Sequence, residues 1–265
     1  MSTPIMPGAE PLSVSEGSQG GVLLLHGYTA TPQQIRPWAM AFAQAGFAVE
    51  APLLPGHGTI AEEMIDTRWS DYMDCAEAAY RKLAAHHQRV LVGGLCLGGT
   101  IAASLAMQHS TTTSGLILIN SYLKSPRGGN AESIGALLKS GKQFFSWPSR
   151  PKQVEDPQAP AILSYDKVAI APMPSLGMAC IEIMQRIDEV HCPVLVFTSM
   201  LDPEVNLEDR WFDRASGPVE HILLARSNHV ATLDYDKGVI EERSIAFAHA
   251  VIDGKRERLP LGATW

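Results

Sequence analysis

The stretch from residue 89 to residue 108, RVLVGGLCLGGTIAASLAMQ, constrains the fold more than any other part of the chain. An apolar run ends in two glycines, and two more glycines follow Cys96 closely, before an alanine-rich segment with helical spacing. Glycine on both sides of one reactive side chain permits a strained, sharp turn from strand to helix. The pattern G-x-C-x-G-G therefore predicts Cys96 at the apex, with the amide of Leu97 pointing to where an acyl oxyanion would form. The alternative is that Cys96 is only a small apolar residue in a tight turn.

Short apolar runs alternate with helical segments through residues 1–119. The runs GVLLL, FAVEA, VLV and GLILI are typical of strands buried on both faces, and the segments 31–45 and 69–86 have helical spacing. The first helix should begin with Thr31 as its N-cap. Such alternation predicts an α/β fold, a mostly parallel sheet with helices on both faces. The pattern resumes after the middle of the chain, with a predicted strand at 193–198, a helix at 207–215, a strand at 219–224 and a closing helix at 236–252.

The alternation breaks between residues 120 and 189. No short apolar strand punctuates this part, and its amphipathic pieces are separated by prolines. We therefore predict a core of residues 1–119 and 190–265, with 120–189 inserted as a small cap over a pocket. The alternative is an ordinary surface excursion. The candidate pocket residues in the insertion are Met173, Leu176, Met178 and Met184.

Three residues of complementary chemistry occur in the order nucleophile, acid and histidine: Cys96, Asp202 and His229. Asp202 follows a late apolar run and should lie in a loop at the carboxyl edge of the sheet. His229 lies between the last predicted strand and the closing helix. This order is the one expected of an α/β-hydrolase sheet. Asp234 and Asp236 compete less well as the acid because they follow the histidine.

Several motifs resemble one known family. LLHGYTATP at 24–32, LPGHGT at 54–59, the Cys96 turn and SNHVATLD at 227–234 look like the bacterial carboxylesterase and monoacylglycerol lipase family of the α/β-hydrolase fold. The resemblance implies that the amides of Tyr28 and Leu97 form an oxyanion hole. It also implies that the insertion is a cap that lines an acyl pocket.

Cys96 departs from that family, which has serine at this place. The turn G-x-C-x-G-G is similar to that of dienelactone hydrolase, and an introduced replacement of serine by cysteine is a second explanation. A thiol beside a histidine at a helix start is readily deprotonated, so Cys96 can act as a nucleophile. Because a thiolate also leaves easily, thioesters, enol or aryl esters and lactones should be better substrates than alkyl esters.

The main hypothesis is thus a hydrolase of carboxylic esters or related activated acyl compounds, acting through a covalent acyl-enzyme on Cys96. Three alternatives stay open. The acyl group could pass to a bound nucleophile, as in an acyltransferase or cyclase. The chain could also be a serine carboxylesterase carrying an introduced cysteine, or a protein that binds a small ligand without turning it over.

Charge and composition limit the classes of molecule that this protein can be expected to bind. A formal charge of -7 and the lack of a long basic run argue against nucleic acid and favour a small apolar acyl substrate. No run of about 18 apolar residues predicts a membrane span, and no basic segment followed by an apolar stretch opens the chain, so we expect a cytoplasmic location. The four cysteines show no C-x-x-C spacing, so we expect reduced thiols and no metal or organic cofactor. The sequence leaves the oligomeric state open.

Overall fold

A seven-stranded sheet organises the protein. The computed structural model describes residues 3–121, 131–146 and 152–254, and within them the sheet has the order β1-β3-β2-β4-β5-β8-β9. Only β1 runs antiparallel to its neighbour; the other neighbours pair in parallel. The strands of this sheet are β1 Leu12–Val14, β2 Gly21–Leu25, β3 Ala48–Ala51, β4 Val90–Leu95, β5 Thr113–Ile119, β8 Val194–Ser199 and β9 Val219–Leu224.

Helices cover both faces of the sheet. Those that pack on the sheet are α1 Arg36–Gln44, α2 Trp69–Ala84, α3 Leu97–Gln108 and α6 Lys237–Ile252. Two further helices, α4 Ala131–Lys139 and α5 Met173–Arg186, pack against each other. Side chains alternate across each strand, so Leu23 of β2 packs among residues of α2 and α3, whereas Leu24 packs among residues of α1 and α6. The central strands are therefore buried on both faces, which explains their continuous apolar runs. The predicted α/β-hydrolase fold is confirmed.

One local prediction was wrong, and a second was right in position but not in its hydrogen bond. Residues 207–215 contain one 3₁₀ turn, Trp211–Arg214, where we predicted a helix. The side chain of Asn206 accepts a hydrogen bond from the amide of Glu208 and favours a turn there. Thr31 holds the predicted N-cap position, in front of a 3₁₀ turn, Pro32–Ile35, that leads into α1. Its hydroxyl makes no capping hydrogen bond, because it donates to the Leu163 carbonyl.

The chain between β5 and β8 carries α4, α5 and a small antiparallel pair, β6 Phe144–Ser146 with β7 Lys167–Ala169. The sequence predicted no strand here, because three-residue strands without an apolar run leave little signal. α5 packs against α2 and α3. The predicted insertion partly lies outside the described residues, at 122–130 and 147–151. None of the helices in the described ranges is both long and apolar enough to cross a bilayer.

Candidate active site

Cys96 occupies the turn between β4 and α3 in a strained conformation. Its φ of 54° and ψ of -119° lie outside the regions that a side chain usually adopts. The Cys96 amide donates to the Ile119 carbonyl of β5 at 3.0 Å, and the Cys96 carbonyl accepts from the Gly99 amide at 3.0 Å. Hydrogen bonds on both sides thus hold a conformation that the isolated chain would avoid.

The glycines around Cys96 are required by backbone packing. A Cβ atom on Gly94 would overlap the backbone of Gly98, and one on Gly98 would overlap the carbonyl of Leu25 in β2. α3 therefore approaches β2 and β4 more closely than any residue with a side chain allows. This contact orients the first turn of α3, including Leu97, beside Cys96.

His229 and Asp202 form a buried pair beside Cys96. Nδ1 of His229 lies 2.7 Å from Oδ2 of Asp202, and the other carboxylate oxygen accepts the Glu204 amide at 2.9 Å. Cys96 also interacts with His229, and this interaction favours the protonated imidazole. Burial by itself lowers the pKa of His229, but the neighbouring charges of Cys96 and Asp202 more than offset it, so the pKa of His229 is raised well above its usual value. The three predicted residues are thus brought together, with a hydrogen bond between His229 and Asp202 and an electrostatic interaction between His229 and Cys96.

Asn120 ties the acid and histidine loops together, a role that the sequence analysis missed. Its Oδ1 accepts the amide of Ser199 at 2.8 Å, and its Nδ2 donates to the Ser199 hydroxyl at 2.9 Å and to the His229 carbonyl at 2.8 Å. Asn120 has a φ of 44° and follows β5 directly. A polar residue at the carboxyl end of an apolar strand is the signal that could have found it.

Two buried histidines shape the loop after β2, which contains Tyr28. Nε2 of His57 accepts the Thr29 amide at 3.1 Å, and Nε2 of His26 accepts the Leu54 amide at 3.1 Å. Each Nδ1 must then carry the proton, and it donates to a backbone carbonyl at 2.9 Å. Burial lowers the pKa of His26 to about 3 and that of His57 to about 4, so both rings are neutral. Neither is available as a charged catalytic group near neutral pH.

The predicted oxyanion donors come from the two turns that adjoin Cys96. Leu97 is the first residue of α3, where helical geometry leaves amides without partners inside the helix. Tyr28 follows Gly27, at which a Cβ atom would lie 3.4 Å from Cβ of Cys96. The hydroxyl of Tyr28 donates to the Ala169 carbonyl at 3.0 Å. The backbone of the Tyr28 loop therefore passes alongside Cys96.

The four candidate pocket residues on α5 do not share one environment. Leu176 and Met184 pack against the core on the α3 side of the sheet, and Met173 is partly buried. Met178 is 73% exposed and points to solvent, which contradicts the prediction that it lines a pocket, because it lies on the outer face of the helix. Cys180, which the prediction omitted, is buried on the inner face. Burial and the charge of Cys96 raise the pKa of Cys180 to about 11.

No group of three or more His, Cys, Asp or Glu side chains that could hold a metal ion occurs in the described parts of the chain. What the arrangement offers chemically is a nucleophile, a base with a buried carboxylate behind it, and backbone amides at a helix start. These are the components of acyl transfer through a covalent intermediate.

Comparisons with known proteins agree with this fold. Residues 22–242 match the sequence profile of a family described as the alpha/beta hydrolase family. A thermostable monoacylglycerol lipase of Bacillus sp. (strain H-257) is 35% identical over 248 residues, which are 92% of this chain and 96% of that protein. A carboxylesterase of Bacillus subtilis (strain 168) is 21% identical over 234 residues, 86% of this chain and 91% of that one.

Solved structures show the same likeness. A structure of the metagenome-derived lipolytic enzymes LipS and LipT has a TM-score of 0.84 and 30% identity, and the match covers 92% of this chain and 99% of that chain. The monoacylglycerol lipase of Paleococcus ferrophilus has a TM-score of 0.76 at 16% identity and is covered in full, with 95% of this chain matched. The second likeness is one of fold.

Proposed function

The chain belongs to the alpha/beta hydrolase family, and from this premise we propose that it is a lipase- or esterase-type hydrolase that forms a covalent acyl-enzyme on Cys96. The observation that carries the proposal is the hydrogen bond between His229 and Asp202 together with the interaction of His229 with Cys96, which lies in the turn after β4. A buried carboxylate behind the imidazole holds its tautomer and stabilises its positive charge.

In the first half of the reaction, the Cys96 thiolate attacks the acyl carbon and forms a C–S bond. The carbonyl electrons move to oxygen, and the amides of Tyr28 and Leu97 stabilise the resulting oxyanion. When the carbonyl re-forms, the bond to the leaving oxygen or sulfur breaks, and His229 delivers its proton to that atom. The acyl group then remains on Cys96 as a thioester.

In the second half, neutral His229 takes a proton from water while the water oxygen attacks the thioester carbon. Collapse of this intermediate breaks the C–S bond, releases the carboxylic acid and restores the thiolate beside the imidazolium. Asp202 keeps its charge throughout and orients the ring. The raised pKa of His229 suits the first half, in which the ring must hold a proton before attack. Once Cys96 is a thioester its charge is gone, so this cause of the raised pKa is absent when the ring acts as a base.

The substrate class follows from the relatives and from the inner face of α5. The relatives are named for lipolytic, monoacylglycerol lipase and carboxylesterase activity, so we propose a lipophilic acyl ester. Met173, Leu176 and Met184 are spaced to face the same side of α5, and Cys180 on that side interacts with Cys96. We propose that these side chains contact the acyl chain.

Intact-protein mass after mixing with a panel of activated acyl donors tests the proposal. The native protein should gain the mass of one acyl group and lose it again at a rate that depends on chain length. Cys96→Ala should gain none, whereas Cys180→Ala, which removes the neighbouring thiol, should still be acylated. Acylation that persists in Cys96→Ala would remove Cys96 from the mechanism, and products formed with an added amine would distinguish acyl transfer from hydrolysis.

A further inference from the structure

Residues 153–156 of the insertion are hydrogen-bonded to the loop that carries His229. The amide of Val230 donates to the Gln153 carbonyl at 2.9 Å, and Nδ2 of Asn228 donates to the Glu155 carboxylate at 2.9 Å. Both Val230 and Asn228 are direct neighbours of His229 in the chain. The position of the imidazole is therefore set in part by a segment far from it in sequence.

Asp234 is the centre of this contact. Its side chain is fully buried, and Oδ2 accepts the amides of Glu155 and Asn228 at 2.8 Å each. Oδ1 accepts the amides of Asp156 and Tyr235, also at 2.8 Å. A carboxylate has the acceptor sites for four such bonds, whereas an amide side chain has them on one oxygen only. One side chain thus joins the insertion to the His229 loop.

The same segment contacts the Tyr28 loop a few residues further on. The amide of Tyr165 donates to the Thr29 carbonyl at 2.9 Å. The side chain of Gln33 bonds twice, with Nε2 donating to the Ala161 carbonyl at 2.8 Å and Oε1 accepting the Leu163 amide at 3.1 Å. Residues 153–169 therefore connect the two loops that flank Cys96.

We propose that residues 153–169 act as a strap that holds the His229 loop and the Tyr28 loop at a fixed separation, with Asp234 and Gln33 as positioning residues for acyl transfer. This proposal rests on the proposed function, since it assigns the strap to the alignment of its base and its oxyanion donors. An error of about 1 Å in such an alignment costs about 100-fold in rate. Neither Asp234 nor Gln33 has to touch the substrate for this effect.

Asp234→Asn tests the first anchor. In the asparagine side chain one oxygen can still accept two backbone amides. The other oxygen is replaced by an NH₂ group, which is a donor facing two further N–H donors, so the His229 loop should shift. We expect kcat to fall about tenfold or more with KM within about twofold, and alkylation of Cys96 by iodoacetamide to slow several-fold. Asp71→Asn is the matched control, because the Asp71 carboxylate likewise accepts a backbone amide, that of Arg68, but does so in the first turn of α2. It should lower Tm and leave both rates unchanged.

Alkylation needs no acyl substrate, so it separates this proposal from the proposed function. A native protein that is never acylated would contradict the proposed function, whereas an unchanged alkylation rate in Asp234→Asn would overturn the strap. If Asp234→Asn does not fold, Glu155→Ala replaces it, since this variant removes the bond from Asn228, together with an exposed ion pair to Lys152, at a partly exposed side chain. It should slow alkylation in the same direction by a smaller factor, and an unchanged rate would again overturn the strap.

The second anchor makes the test specific to a connection between the loops. Gln33→Ala removes both side-chain bonds to residues 161 and 163 and should lower kcat a few-fold. In the double variant with Asp234→Asn (or Glu155→Ala), the loss in kcat should be smaller than the product of the two single losses. Once the strap is released at one end, it no longer fixes the separation of the two loops, so releasing the other end adds little. Losses that simply multiply would show two independent supports and would contradict the proposal.

Discussion

At the scale of single residues, backbone strain marks the site. Among the described residues other than glycine, positive φ occurs at Thr29, Cys96 and Asn120, with values of 62°, 54° and 44°. Each lies at or just beyond the carboxyl end of a central strand, and each is held by hydrogen bonds to neighbouring segments. Strain of this kind persists only where the surroundings over-determine it, so the three residues outline the part of the fold that must be rigid.

The sulfur of Cys96 should set the preference for leaving groups. In a tetrahedral intermediate the thiolate competes with the group to be expelled, and a serine alkoxide at the same place leaves less readily. Cys96→Ser should therefore raise alkyl ester hydrolysis relative to thioester hydrolysis, measured as the ratio of the two kcat/KM values.

A large gain in absolute esterase activity in Cys96→Ser would identify a serine esterase scaffold that carries a cysteine. A loss on all substrates would instead identify a site adapted to a thiolate. An unchanged ratio would contradict the idea that the sulfur determines substrate choice.

The buried histidines should make stability depend on pH. In the unfolded chain a histidine titrates near 6.5, but burial lowers the pKa of His26 to about 3 and that of His57 to about 4. At a pH below 6.5 and above these lowered pKa values, the unfolded state binds more protons than the folded state. The contribution of these histidines to stability is therefore complete above about pH 6.5 and falls as the pH drops toward 4. His57→Gln should reduce the fall between pH 7 and pH 5 by about 2 kcal/mol, measured by urea unfolding. An equal fall in both proteins would mean that His57 is charged in the fold.

At the scale of elements, the packing of α3 on β2 depends on one missing side chain. Gly98→Ala forces a Cβ atom onto the Leu25 carbonyl. The clash is between a Cβ fixed to the backbone of α3 and the backbone of β2, and neither element can move away easily. We expect a loss of roughly 3 kcal/mol or more in unfolding free energy, with misplacement of Cys96. Gly177→Ala in α5 is the matched control, because nothing lies within 4 Å of the added atom. It should stabilise by up to about 1 kcal/mol; equal effects of the two variants would contradict the close approach.

The two faces of α5 should affect the acyl chain differently. Leu176→Trp enlarges a residue that packs toward the core, so the preferred acyl chain should become shorter by several carbons, each worth about 0.8 kcal/mol when buried. Met178→Trp enlarges a side chain that is 73% exposed and should change nothing. The measurement is kcat/KM over a series of donors from acetyl to decanoyl. The same profile for both variants and the native protein would remove α5 from the pocket.

At the scale of the whole molecule, the sequence predicted the strands and the Cys96 turn better than the hydrogen bonds that join distant segments. Apolar runs revealed the buried strands, and the glycines around Cys96 revealed the turn, because both signals are local. Asp234 and Asn120 act through segments distant in sequence, and such hydrogen bonds leave no periodic pattern. The error at Met178 has a related cause. α5 carries apolar residues on more than one face, so spacing alone did not tell which face meets the core.

Asn120 shows how the two ends of the predicted core meet, since it follows β5 and bonds to Ser199 at the end of β8 and to the His229 carbonyl. Asn120→Ala should lose these buried bonds and leave their partners unsatisfied, at a cost of about 2–4 kcal/mol in unfolding free energy. Asn120→Gly loses the same bonds but accepts the φ of 44° without strain, so it should be about 1 kcal/mol more stable than the alanine variant. Both should lower kcat, because the acid and histidine loops are no longer joined. Full activity in Asn120→Gly, measured beside chemical unfolding of the three proteins, would mean that Asn120 stabilises the fold without aligning Asp202 and His229.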